Sequence, residues 1–208
     1  QGLAQMRRFA EFDYDITAVT IDPGFNGVPN NYDAVARLCE KLDVPFSLVH
    51  TQIGEIVFDI RKEPNPCSLC ANMRRGALHD AAKAAGCNKL ALGHNNDDVI
   101  ETFIMNLFNE GRIGCFSPKT HLDRKDITVI RPLVLAPESQ VLSACNRNGF
   151  EIVKSVCPAD KTTTRQKTKE FLRDMEHKDK GFKLRMFTAL RKSCLLYTSP
   201  SPRDRTRS

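Results

Sequence analysis

Two cysteines separated by two residues, Cys67-Ser-Leu-Cys70, and a third far downstream at Cys157 are the side chains of this chain best suited to chemistry. Thiols at that spacing can point at one metal, and a third from a distant element leaves the site one ligand short of a closed tetrahedron. A metal held this way keeps a position open for a reactant. The spacing leaves other readings open, among them half of a zinc knuckle or a redox dithiol. A structural zinc wants four protein ligands, and no second Cys-x-x-Cys or His pair is present. A thioredoxin-like dithiol directly follows a strand and opens a helix, whereas this pair follows Lys62-Glu-Pro-Asn-Pro66. Cys39, Cys87, Cys115 and Cys145 stand singly in apolar or helical surroundings and read as small hydrophobes.

Between the paired and the third cysteine runs Leu92-Gly93-His94-Asn95-Asn96-Asp97-Asp98-Val99-Ile100-Glu101-Thr102. A glycine turn leading into a helix offers backbone amides and the positive end of the helix dipole to an anion. Gly93, His94 and Asn95 are therefore candidates to line a nucleotide pocket, with Asp97 and Asp98 holding the magnesium of a triphosphate. The carboxylates alone fit a simpler reading, an acidic helix cap extended by Glu101. Asp22, in the turn Asp22-Pro23-Gly24 after a strand, joins the nucleotide candidates.

Charge is distributed unevenly. Lys161 to Lys192 carries 11 basic and 4 acidic residues, while residues 1–160 carry 17 and 20, so the basicity lies near the C-terminal end. Such asymmetry suits contact with a polyanion. Lys161, Arg165, Lys167, Lys169 and Arg173, close behind Cys157, are the candidate RNA contacts, with Arg74 and Arg75 just after the cysteine pair. A solvated helix face explains each group equally well on charge alone. His79 and His121 read as surface or packing residues.

The elements that would position these groups alternate. Ile16 to Ile21, Phe46 to His50 and Lys89 to Leu92 read as buried strands. Asn31 to Leu42, Ala71 to Ala85 and Asp97 to Asn109 read as helices, the last with Val99, Ile100, Phe103, Ile104 and Leu107 toward the core. Three more helices follow at Pro137 to Asn148, Arg165 to Glu176 and Lys180 to Lys192. Alternation of this kind predicts an α/β fold with a parallel sheet and basic C-terminal helices. One main domain is expected, over residues 1–150, with a helical RNA-binding segment at 151–193. No apolar run approaches the roughly 20 residues of a membrane span and no secretory signal is recognisable, so a cytoplasmic protein is expected. Gln1 to Phe12 reads as the end of a helix whose preceding strand is missing. Residues 194–208 lose all periodicity and resemble a translated sequencing adapter.

Gly-His-Asn-x-Asp-Asp-x-x-Glu-Thr resembles the second signature of the PP-loop pyrophosphatases, which adenylate their substrates with ATP. Within that family, Cys67-Ser-Leu-Cys70-Ala-Asn-Met-Arg74-Arg75-Gly76-Ala-Leu is similar to the cysteine motif of the tRNA 2-thiocytidine synthases, and Cys157 falls at their third cluster cysteine. Ile130-Arg131-Pro132-Leu133 and Phe171-Leu172-Arg173-Asp174-Met175 are similar as well. The resemblance implies a Rossmann-like sheet of the adenine nucleotide alpha hydrolase type. It implies a [4Fe–4S] cluster on Cys67, Cys70 and Cys157, with ATP and Mg2+ as further cofactors. It also implies a tRNA substrate thiolated at an anticodon-loop cytidine, a cysteine desulfurase as sulfur donor, and a homodimer. A tRNA 2-thiouridine synthase relative and a non-catalytic metal-stabilised RNA-binding module are the alternatives. The family's first signature, a Ser-Gly-Gly-x-Asp-Ser phosphate loop, is absent from the sequence. The chain is therefore expected to be a fragment that binds ATP poorly or not at all and is inactive alone.

Overall fold

The computed structural model describes residues 1–27, 30–62, 65–154, 156–160, 163–193 and 196. Lys161 and, Leu196 excepted, the expected adapter tail lie outside the described residues. Two compact units divide the chain, Gln1–Cys87 with Gly149–Asp160 and Asn88–Asn148 with Lys161–Ser208. No described helix is long and apolar enough to cross a membrane.

The first unit opens with the short helix α1 (Gly2–Met6). The β-branched run then forms β1 (Ala18–Asp22), which pairs in parallel with β2 (Phe46–His50) across α2 (Asp33–Lys41). In this register Asp22 stands beside His50. α3 (Ile53–Glu55) runs into one π turn, Ile56–Arg61, which ends at Lys62 in the left-handed region. α4 (Pro66–Ala84) starts with proline at its first position, where the missing N–H is no loss. The helix thus begins five residues earlier than the sequence suggests, and both paired cysteines lie in its first turns. They open a helix after all, although the preceding described element is the π turn Ile56–Arg61 and not a strand. Leu69, Met73, Ala77 and Ala81 of α4 pack on a cluster of Ile21, Phe25, Ile53, Val57 and Cys70. Each fully buried aliphatic there contributes about 1.5–3 kcal/mol.

In the second unit β3 (Lys89–Ala91) pairs in parallel with β5 (Ile127–Ile130), and β4 (Lys119–Leu122) joins β5 antiparallel, giving the order β3-β5-β4. Among the described residues the expected parallel pairing is present in both units, β1 with β2 and β3 with β5, and β4 adds one antiparallel strand. The β4–β5 hairpin escaped the sequence reading because its strands have only four residues each. α5 (Asn96–Glu110), α6 (Glu138–Arg147), α7 (Thr164–Lys178) and α8 (Phe182–Lys192) complete the unit. Val99, Ile100 and Ile104 of α5 meet Leu172 of α7 and Phe187 and Leu190 of α8 in one buried cluster. Leu107, expected inside, is 36% exposed, and Asp97 and Glu101 are buried in its stead.

Both units contain backbone contacts that set predictions. A side chain begun on Gly54 would stand 2.8 Å from Gly24 O and 2.9 Å from Phe25 Cα, both on the backbone beneath α3. Gly54→Ala should therefore lower stability by about 1–3 kcal/mol; an unchanged thermal midpoint would contradict this packing. In the second unit, Glu176 accepts the Gly181 and Lys183 amides, each at 2.8 Å, at the start of α8. Those donors, the Lys183 amide foremost, hold its carboxyl below the ordinary value of 4.5. A depressed folded value stabilises above the carboxylate range and is lost in acid. Glu176→Gln should lower the melting temperature at neutral pH and converge on the wild type as pH falls; a pH-independent difference would exclude this role.

Candidate functional site

The three cysteines all belong to the first unit. Cys67 and Cys70 sit three residues apart on α4, on neighbouring turns of one face. Cys157 comes from the segment 149–160, which Arg37 ties down through Glu151 at 2.9 Å and Asn30 through the Lys154 carbonyl at 3.4 Å. Cys157 packs against the cluster that holds Cys70. Burial first, and then the negative charge of Cys157, push the Cys67 thiol up. Cys70 is raised by burial, opposed by the Arg74 guanidinium one turn along the helix, and raised again by Cys157 and Cys67. The trio is thus electrostatically coupled, with a cation beside it. Among the described residues no three ligand-type side chains form a ready cage for a single ion.

At the C-terminal ends of β1 and β2 lies a cavity of about 620 Å³, lined by Asp22, Gly24, His50, Thr51, Gln52 and Glu55 among others. Asp22 is 2% exposed, with Oδ1 accepting the Gly24 amide at 3.1 Å and Oδ2 3.2 Å from His50 Nδ1. Parallel register accounts for the pair, since the two residues are direct partners across the strands. The sequence offered that signal in two apolar runs ending in Asp and His, but only the pairing decodes it. Tyr32 lies within the electrostatic reach of both Asp22 and Arg74. Burial and the Asp22 charge raise its phenol, while Asn30 and Arg74 pull the other way.

The motif 92–102 lies in the second unit, after β3. Asn95 caps α5 by accepting the Asp98 amide at 3.2 Å, and Asp98 Oδ2 accepts the Asn95 amide at 2.9 Å, a reciprocal capping box. Asp97 Oδ2 accepts the Glu138 amide at 2.7 Å and Oδ1 the Lys183 ammonium at 2.8 Å. Both oxygens of Asp97 are therefore engaged by the protein, one bond to each. Gly93 is exposed, and nothing lies within 4 Å of where its side chain would begin, so packing does not require glycine there. Its bareness suits close approach by a ligand. The His94 ring lies 4.9 Å from that of Phe116, and Arg131 covers Phe116 at 4.8 Å while donating to Ser117 O at 2.6 Å. Arg131 of the Ile130–Leu133 motif is thereby linked to the glycine turn, a tie the sequence did not reveal.

The basic candidates separate. Arg165 donates to Glu101 at 2.9 Å and approaches Asp98 Oδ1 and Thr102 at 3.4 Å. Lys169 donates to Glu138 at 2.6 Å. Burial alone would lower the Lys169 value, but the Glu138 bond and charge outweigh it and the net shift is upward. Burial raises the Glu101 carboxyl, opposed chiefly by Arg165. Lys167 and Arg173 are exposed, Arg173 near Asp174 at 3.8 Å. Arg74 and Arg75 are exposed on α4, Arg75 donating to Ala71 O at 3.1 Å. Of the lone cysteines, Cys39 and Cys115 are buried, the latter pushed up to about 11 by burial, whereas Cys87 and Cys145 are only half-buried.

Comparison with known proteins gives concordant matches. The PP-loop domain family model matches residues 3–175. A tRNA-cytidine(32) 2-sulfurtransferase from Pelobacter propionicus is 37% identical over 191 residues, covering 90% of this chain and 70% of the relative. One from Geobacter sulfurreducens is 34% identical over 191 residues, covering 90% and 74%. The solved structure of U34-tRNA thiolase NcsA from Methanococcus maripaludis with its [4Fe-4S] cluster superposes with a TM-score of 0.71 at 23% identity. That match covers 92% of this chain and 65% of the thiolase chain. The fold is therefore the Rossmann-like α/β type of the PP-loop proteins.

The ion pairs make a prediction that charge alone would not. Arg165→Gln should cost about 1–3 kcal/mol of stability because it strands the buried Glu101 carboxylate. Lys167→Gln on the exposed side should stay within about 0.5 kcal/mol of the wild type. Equal thermal midpoints for the two variants would show that Arg165 is not a structural tie.

Proposed function

This chain belongs to the PP-loop domain family and, within it, to the tRNA-cytidine(32) 2-sulfurtransferases, and we propose that it serves ATP-dependent thiolation of tRNA at cytidine 32. In this reading the C2 oxygen of the cytidine attacks the α-phosphorus of ATP and pyrophosphate leaves. Sulfide then attacks C2 and AMP departs, carrying the oxygen. Adenylation matters because an oxygen on C2 is a poor leaving group until it is esterified.

The observation that carries the proposal is the coupled thiol trio. Burial first, and then the neighbouring thiols, raise the proton affinity of Cys67 and Cys70, a cost that binding to iron removes because metal ligation takes the thiolate form. Thiolates of a cluster bind different irons and stand farther apart than the ligands of one ion, which agrees with the absence of a single-ion cage among the described residues. When bound there, a [4Fe–4S] cluster supplies one iron without a protein ligand as a holding position for sulfide. Arg74 offsets negative charge beside Cys70, and with Arg75 it faces the RNA.

Nucleotide binding falls to Asp22 at its cavity and to Gly93, His94 and Asn95 at the turn before α5. Asp97 is held by Glu138 and Lys183 and Asp98 by Asn95 and Arg165. Each carboxylate keeps further lone pairs, and to these we assign the magnesium arriving with ATP. Lys161, outside the described residues, and the exposed Lys167 and Arg173 are assigned to tRNA, whereas Arg165 and Lys169 support the surface from below. A persulfide-carrying cysteine desulfurase as donor, with two electrons from a thiol reductant releasing its outer sulfur as sulfide, a homodimer and a cytoplasmic location complete the reading.

The chain purified and reconstituted without oxygen should contain iron and matching acid-labile sulfide, with a broad visible band. Cys157→Ala should lose both. Stoichiometric zinc without sulfide, or full iron retention in Cys157→Ala, would overturn the cluster assignment.

A further inference from the structure

Helix geometry sorts the side chains of α7 into two sets. At 3.6 residues per turn, Arg165, Thr168, Lys169, Leu172 and Glu176 share one side. Leu172 and Thr168 are buried, and the three charged members bond to α5, α6 and the start of α8. The opposite stripe reads Lys167, Phe171, Asp174, Lys178, spaced i, i+4, i+7 and i+11. Phe171 is 41% exposed. Its ring meets that of Phe108, 65% exposed near the end of α5, at a centroid distance of 6.1 Å and an angle of 74°. Neither ring belongs to the buried cluster of the second unit.

Two phenyl rings already fixed against each other and open to water offer a π-surface with little ordering left to lose. Lysines flank them, and the adjacent Glu170 is engaged by Gln166 at 2.8 Å. Lys167 and Lys178 lie above and below Phe171 on the same stripe, and Asp174 is offset by Arg173 at 3.8 Å. At the end of α5, Glu110 is paired with Arg112. An aromatic surface flanked by lysines matches an unpaired nucleotide, whose base stacks while the neighbouring phosphates take the cations. A neutral apolar partner of the same patch would gain nothing from the lysines.

We infer that Phe108 and Phe171 form a stacking platform for an unpaired base of an RNA loop, with Lys167 and Lys178 on the flanking phosphates. The inference rests on the tRNA reading and deepens it, assigning to the exposed aromatics a contact that charge counting gave to Arg165 and Lys169.

The test is fluorescence anisotropy of the full chain with a labelled, unmodified anticodon stem–loop RNA and with a fully paired duplex of the same length. Phe171→Leu and Phe108→Leu keep apolar volume and remove the ring. Each should weaken loop binding roughly tenfold, leave duplex binding unchanged, and melt like the wild type. Phe171→Tyr should bind as the wild type does. The double variant Lys167→Gln with Lys178→Gln should reduce the slope of log affinity against log salt by roughly 1.4, the share of two phosphates on a single strand. Wild-type affinity in both leucine variants overturns the platform and leaves the tRNA reading standing. Loss of a concentration-dependent dimer in those variants, by light scattering, assigns the face to a second copy and also overturns it. Absence of loop binding by the wild type removes the tRNA reading and the platform together.

Discussion

Burial of carboxylates in the first turns of α5 is the constraint on which the second unit depends. Asp97 is 9% and Glu101 5% exposed, and a charged carboxylate in such a place costs several kcal/mol unless it is paired. Each pairing draws in a different element: Lys183 from α8, Arg165 from α7 and the amide of Glu138 from α6. Glu138 then returns a charge of its own to Lys169 on α7. Four helices are thus fixed around two acids four residues apart. The apolar cluster beneath supplies most of the burial energy, but hydrophobic contact is non-directional, and the ion pairs specify which helix face meets which.

The same acids explain why the site was only partly legible. The string Gly93 to Thr102 announces a strand, a turn and a helix start, and that much was visible. Its residues, however, divide between duties. Asn95 and Asp98 close the capping box, Asp97 and Glu101 hold neighbouring helices, and Gly93 with His94 is left open. A motif read in one dimension cannot separate these roles, because adjacent letters point to different sides of a helix. Lys183 gave no signal, being one lysine among many, and its distinction comes from a partner 86 residues away in sequence.

Elsewhere the sequence erred where local rules compete. β2 matched its expected bounds because a continuous apolar run admits few alternatives, whereas the start of α4 was displaced by Pro66, a residue that breaks helices inside and begins them at the first position. Placing the cysteine pair on a helix changes what it can do. A helix fixes Cys67, Cys70 and Arg74 relative to one another without help from the rest of the chain, so only Cys157 must be delivered. The Arg37–Glu151 pair and the Asn30 contact anchor the segment that delivers it.

Asp22 shows how the fold joins two kinds of chemistry in one unit. Parallel pairing sets it against His50, burial leaves it 2% exposed, and its charge reaches Tyr32, which also feels Arg74 beside Cys70. Strand register and one turn of α4 thus bring Asp22 and Arg74, opposite charges from distant stretches of sequence, to bear on a single phenol. Neither residue's position follows from its own neighbours in sequence; each is set by the element that carries it.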